Sequence, residues 1–304
     1  MFGIYFGKYL QDKGVLTEQQ YTDLVKGVLN AKMKLGVLAV QNHWMTEQQA
    51  DEVNELQRQQ DRRFGDIAIE KGYLNEEQME TLLSQQGDQY LICIQLLTEQ
   101  GYLTPAEIQN YLNLYKKENR LGARDIDALK SGDLDRIIPV FTQEPAISAV
   151  LRDYIAVTCR HIVRFISPNL RLEPTERITE YGGDYFAGQE LEGEFKLLSG
   201  ISGEREAVLT VASIYGMEEF AEVDEDSLDA VCEFLNCSNG LYASRLSEDD
   251  IELELLPPLI HAEKVRLSTS GLMFKTPLYL NGRRLELIIC VNSEWQMLNK
   301  AGEV

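Results

Sequence analysis

Asp229, Glu233 and Asn236 stand four and three residues apart in the stretch Asp229-Ala-Val-Cys-Glu233-Phe-Leu-Asn236-Cys-Ser-Asn-Gly240. On a helix this spacing brings all three polar side chains out on one face. Leu228, Val231, Phe234 and Leu235 then supply the buried side. A carboxylate and a carboxamide on that face can together accept and donate hydrogen bonds to a ligand, a partner or solvent. Glu-x-x-Asn alone is a common pattern, and an isolated match reads as a solvated helix face. The chain has a second copy, Glu107-x-x-Asn110, so the meaning of the first depends on its surroundings.

The elements that must position this face follow from periodicity and turn chemistry. A helix is predicted from about Asp226 to Leu246, started by acids that suit a helix N-terminus. Ahead of it, Glu194 to Leu198 and Ala207 to Ile214 read as strands around a hairpin turn, Ser199-Gly200-Ile201-Ser202-Gly203. After it, Ile251 to Leu256, Lys264 to Ser268, Leu272 to Leu280 and Arg284 to Val291 read as strands. They are separated by Pro257-Pro258, Gly271 and Asn281-Gly282, the last a type I′ hairpin signal. A further helix runs from Pro145 to Ile166, with Ile147, Val150, Leu151, Tyr154 and Ile155 at helical spacing. The second half is thus an α+β domain with an antiparallel sheet.

The order of parts around Glu233 resembles the CheX/CheC/FliY phosphatases: hairpin, acidic lead-in, Asp-x-x-x-Glu-x-x-Asn-x-x-x-Gly helix, short strand and proline. Asp229, Glu233, Asn236 and Gly240 match the family pattern, while Pro258 falls one position short, an offset assigned to a connecting loop. The resemblance spans about residues 140 to 292. The helix from Pro145 carries no second Glu-x-x-Asn, which favours the one-site CheX arrangement over CheC. The resemblance implies a phosphatase acting on the aspartyl phosphate of a CheY-like response regulator in chemotaxis-type signalling. Glu233 and Asn236 would be its catalytic residues, with Asp229 and Gly240 contacting the partner. Glu233 would pair with the receiver's own active-site lysine. The divalent metal would belong to the receiver, so this chain needs no metal site or cofactor. A cytoplasmic homodimer is implied as well.

The first half carries a repeat. Gly14-Val-Leu-Thr17, His43-Trp-Met-Thr46, Gly72-Tyr-Leu-Asn75 and Gly101-Tyr-Leu-Thr104 follow one another at a step of 29 residues. Gln20, Gln49, Gln78 and Glu107 stand three residues after each cap position, the spacing of a capping box. Seven residues before each copy stands Gly7, Gly36, Gly65 or, breaking the pattern, Ile94. The first half is therefore an all-α array of helix-turn-helix units. It resembles MshEN, the N-terminal domain of type II secretion and type IV pilus ATPases, which in some members binds cyclic di-GMP. That family uses twice an element of about 24 residues with a spacer of about five, and here Lys34-Leu-Gly36 and Arg63-Phe-Gly65 open the matching copies. Lys34, Gly36, Arg63 and Gly65 are the ligand-binding candidates the resemblance implies. Lys34 stands where an arginine is expected and His43 where a glycine is expected, and lysine cannot hold a phosphate bidentately. Gly36 and Gly65 also suit close helix packing.

Bulk properties bound these readings. Residues 1–136 carry 15 basic and 21 acidic side chains, and residues 137–304 carry 14 and 28, for a net −20 in all. Both halves repel a nucleic-acid backbone, which disfavours a polynucleotide partner. No apolar run approaches the roughly 18 residues of a membrane span, and the apolar start Met1 to Phe6 lacks the basic leader of a signal peptide. Five scattered cysteines without CxxC spacing and three distant histidines indicate reduced thiols and no metal motif. The expected organisation is a helical repeat domain over 1–120, a polar linker over 121–136 and a CheX-like domain over 137–304. A non-enzymatic signalling adaptor, or a cyclic di-GMP receptor acting through the repeats, is the alternative reading.

Overall fold

The structure, a computed structural model, describes residues 1–31, 34–85 and 89–298. It divides into two compact units, residues 1–137 and 138–304. In the first, a shorter helix precedes a longer or comparable one four times. These are α1 (Phe2–Asp12) with α2 (Glu18–Ala31), α3 (Leu35–Gln41) with α4 (Glu47–Gln60), α5 (Phe64–Glu70) with α6 (Glu76–Gln85), and α7 (Gln89–Glu99) with α8 (Pro105–Glu118). Each shorter helix ends on a left-handed residue: Gly14, His43, Gly72 and Gly101 have φ of 70°, 57°, 69° and 68°. Glycine takes that conformation without strain, and His43 does not. Each longer helix opens on a reciprocal capping box, Thr17 with Gln20, Thr46 with Gln49, Asn75 with Gln78 and Thr104 with Glu107.

The pairs do not stack in chain order. The second and third share one core, built from residues such as Leu38, Val53, Phe64, Ile67 and Leu82. The first packs with the fourth, through α1 on α7 and α8 and α2 on α7. The reason is α1 itself, whose Phe2, Ile4, Phe6 and Leu10 are at most 1% exposed. An apolar helix needs partners on several sides, and Tyr90 and Tyr115 supply aromatic edges to Phe2 and Phe6.

The segment expected as a linker is largely helical: α9 (Ala123–Ser131) is followed by α10 (Leu134–Phe141), which runs across the division between units. Gly122 and Gly132 bound α9 while Ile126, Ala128 and Leu129 are buried, and α9 packs on α1 and α7. Polar residues and glycines there punctuate a short helix rather than a loop.

The second unit begins with α11 (Ala149–Phe165), β1 (Leu170–Leu172), β2 (Glu176–Gly183), β3 (Phe186–Gly193) and β4 (Leu197–Gly203). Then come α12 (Arg205–Gly216), α13 (Glu225–Ser247), β5 (Leu253–His261), β6 (Val265–Leu280), β7 (Arg283–Val291) and β8 (Trp295–Leu298). All strand pairings are antiparallel, in the order β1-β6-β7-β4-β3-β5, with β2 and β8 also on β6. α12 packs on β4 and β7, and α13 on β3, β4 and β5.

The second unit departs from four sequence expectations. Ser199 to Gly203 is no hairpin turn but most of β4, a central strand. Gly200 faces Gly188 across the β3–β4 ladder, and an added β-carbon at either would meet the Phe186 ring within 2.4 Å. These glycines make room for an aromatic ring. Ala207 to Ile214 is helical within α12, because Ala207, Val208, Val211 and Ala212 bury at a helical interval. Pro257-Pro258 does not end β5, which runs through both as the edge strand of that order, where a missing N–H is tolerated. Gly271 lies inside one continuous β6, where pairing passes from β8 to β7 and Ser293 comes so close that a β-carbon would clash. Asn281 and Gly282, by contrast, have φ of 52° and 84°, as a type I′ turn requires.

Candidate functional site

α13 carries the candidate site. Asp224 caps its start, accepting from the Ser227 backbone at 2.9 Å while its own N–H donates to the Ser227 hydroxyl at 2.8 Å. Hydrogen bonds to the carboxylate from the Ser227 backbone N–H and then from the Ser227 side chain hold the Asp224 carboxyl below its ordinary range. Glu225 and Asp226 follow in the first turn, where the helix dipole favours acids. Leu228, Val231, Phe234 and Leu235 are at most 1% exposed. Asp229, Glu233 and Asn236 are exposed on the remaining face. Gly240, one turn on, is half-buried, and nothing lies within 4 Å of the position its β-carbon would take. No packing reason for a glycine is visible there.

Asp229 and Glu233 line an open cleft of about 460 Å³ with Tyr215, Gly216, Glu218 and Phe220 from the end of α12 and the loop after it. Burial, then a hydrogen bond with Cys237 and the nearby negative charge, pushes the Tyr215 phenol well above its usual range. Tyr215 is a neutral wall of the cleft. Four of the five cysteines are buried and Cys237 is exposed, all as free thiols. Burial pushes Cys232, on the inner side of α13, up to about 12, which keeps it protonated and inert.

Behind Asn236 a relay of amides runs into the core. Asn236 Oδ1 accepts from Gln189 Nε2 at 3.0 Å, and the same nitrogen donates to the Leu256 carbonyl at 2.9 Å. Asn239 Nδ2 donates to Gln189 Oε1 at 2.8 Å, and Asn239 Oδ1 accepts from the Tyr154 hydroxyl at 2.8 Å and Ser199 Oγ at 3.3 Å. Gln189 is 4% exposed, while Asn239, Tyr154 and Ser199 are fully buried. The register of β3 with β5 breaks between Gln189 and Leu191, so that Leu256 and Pro257 fall in a bulge opposite. Pro258 pairs with Gln189 across this ladder. The proline offset therefore lies in a strand beside the site and not in a connecting loop. Sequence reasoning missed Gln189, Asn239 and Tyr215. Gln189 sits on β3, which the turn reading of Ser199 to Gly203 left without a partner strand. An amide inside Phe186-Ala-Gly-Gln-Glu-Leu191 was the available signal.

The second Glu-x-x-Asn has a structural use, since Glu107 closes the capping box of α8 with Thr104. In the first unit, Lys34 and Arg63 are the N-cap residues of α3 and α5, and neither makes a side-chain cap bond. Arg63 pairs with Asp133 and Asp135 at 3.2 and 3.0 Å. A β-carbon on Gly36 would sit 3.3 Å from Ala50 and from Phe64, and one on Gly65 3.0 Å from Met79 Sδ. These glycines permit close approach of α3 to α4 and of α5 to α6.

Residues 185–272 match the family described as Chemotaxis phosphatase CheX. The matched stretch runs from β3 into β6 and contains Asp229, Glu233, Asn236 and Gly240 together with Gln189, Asn239 and Leu256. Among solved structures the chain is similar to a CheC-like superfamily protein from Shewanella sp. PV-4, at 16% identity over 48% of this chain and 99% of that one, TM-score 0.42. It is similar to the chemotaxis protein CheX from Vibrio vulnificus, at 15% identity over 47% and 99%, TM-score 0.41. A third is the CheX-CheY-BeF3-Mg complex from Borrelia burgdorferi, at 17% identity over 47% and 97%, TM-score 0.36. No curated protein matches the chain. Among the described residues, no helix is long and apolar enough to cross a membrane.

Proposed function

We propose that residues 138–304 form a phosphatase for the aspartyl phosphate of a CheY-like response regulator. The observation that carries this reading is the exposure of Glu233 and Asn236 on one face of α13, whose other face is locked into the core, inside the stretch matching the CheX family. An acyl phosphate is already activated, so catalysis requires little more than a water fixed in line with phosphorus. Asn236 holds that water. Glu233, on the lining of the cleft, meets a cation on the receiver and sets the docking register. The phosphorylated aspartate and its divalent metal are the receiver's own.

The roles separate experimentally. The test uses a receiver in its phosphorylated form for turnover and in a stable beryllofluoride form for binding. Asn236→Ala should abolish accelerated dephosphorylation and leave binding largely intact, because a water-holding amide acts mainly in the transition state. Glu233→Ala should weaken binding as well. Equal loss of binding in both variants, with turnover per complex unchanged, would contradict this division of labour.

A further inference from the structure

The relay behind Asn236 has one orientation that satisfies every group in it, and a backbone carbonyl sets it. The Leu256 oxygen can only accept, so the Gln189 atom 2.9 Å away is its nitrogen. That turns Gln189 Oε1 to Asn239, which must answer with Nδ2, at 2.8 Å. Asn239 Oδ1 is then left to accept from the Tyr154 and Ser199 hydroxyls, as it does at 2.8 and 3.3 Å. The remaining Gln189 N–H reaches Asn236 at 3.0 Å, which must therefore present Oδ1 inward. The group Asn236 exposes is its NH2.

We propose that Gln189 is a positioning residue for the phosphatase reaction: it fixes the Asn236 carboxamide with Nδ2 outward, so that Asn236 acts on the attacking water only as a donor. The proposal rests on the phosphatase reading above. An Nδ2–H bond occupies one lone pair of the water and leaves the other for phosphorus. The water oxygen forms the new bond to phosphorus while the bond from phosphorus to the aspartyl oxygen breaks, and its electron pair returns to the carboxylate. Both water protons leave with the phosphate, so neither passes through Asn236. Because Gln189 is buried and both its Nε2 hydrogens and its Oε1 are engaged, the Asn236 amide cannot flip without leaving a core group unpaired.

Gln189→Met keeps the length of the side chain and removes both donors and the acceptor. In the full chain, kcat on a phosphorylated receiver should fall about tenfold to a hundredfold, the scale for a misplaced reacting group, with KM changed by less than about threefold. Binding of the receiver in its stable beryllofluoride form should be unchanged in Gln189→Met, since its effect runs through the water that Asn236 holds and not through docking. A merely structural role would weaken that binding along with kcat. Asn236→Asp supplies a second reading at an exposed position, for use if Gln189→Met does not fold. It preserves the inward acceptor and replaces the outward donor by an acceptor, so turnover should be lost. Unchanged kcat in folded Gln189→Met, or retained turnover in Asn236→Asp, would overturn the proposal alone. A wild-type chain without activity on any receiver would overturn the phosphatase reading and this proposal with it.

Discussion

Glu233 and Asn236 share a helix face but differ in what stands behind them. Asn236 is tied through Gln189 to the core, whereas Glu233 projects at a cleft among Asp229, Glu218 and Asp226. A carboxylate in an acidic neighbourhood is suited to meeting a partner's cation, and much of its contribution should be Coulombic. Glu233→Gln should therefore lower receiver affinity by about 1 to 2 kcal/mol, the scale of one charge-assisted contact, and flatten its salt dependence, measured by calorimetry at two ionic strengths. Affinity that is unchanged would show that Glu233 does not meet a receiver cation. In the first unit, Arg63 is bonded to Asp133 and Asp135, and a phosphate ligand would have to displace both. We expect calorimetry with millimolar cyclic di-GMP to give no salt-sensitive heat. A heat that Arg63→Ala abolishes would reverse that expectation.

At the scale of the element, helix starts and stops were the most legible features. The four capping boxes and the turn residues 29 apart depend on local bonds that a sequence displays directly. Thr46→Ala should lower stability by about 1 kcal/mol, and His43→Gly, at φ 57°, should raise it by up to about 1 kcal/mol. Denaturant titration checks both. The cap of the site helix has a pH signature. The bonded Asp224 carboxylate has a depressed folded pKa, so its contribution is present above the unfolded value and lost as pH falls through the folded one. Asp224→Asn keeps a capping oxygen and should remove that acid-limb dependence, seen as stability between about pH 5 and 2. Strands were less legible, because their context lies far away in sequence. Gly200 marks the Phe186 ring across the ladder rather than a turn, and Pro257-Pro258 marks an edge bulge rather than a strand end. The exposed face of Asp229, Glu233 and Asn236 was readable from helical period alone. Gln189, 47 residues away on an adjoining strand, was not.

For the whole molecule, the two units each have their own core, so fragments 1–137 and 138–304 should each fold alone, as circular dichroism and cooperative melting would test. A fragment ending at residue 120 should melt lower than 1–137, because it removes α9 from α1 and α7. Nearest-neighbour stacking would have predicted otherwise, but the first helical pair packs with the fourth. Residues 137–304 carry a net charge of −14, and Glu218, Asp226 and Asp229 line the cleft beside Glu233, so a receiver should bind by a basic surface and more weakly at high salt. The proposed phosphatase reaction makes α13 the element that accelerates the loss of an aspartyl phosphate. Its most direct test is the lifetime of a phosphorylated receiver, drawn from a panel, with a catalytic amount of the wild-type chain or of Asn236→Ala. Wild type should shorten the lifetime of at least one receiver, and Asn236→Ala should leave it at the spontaneous value. Lifetimes that neither chain changes, across the panel, would overturn the phosphatase reading.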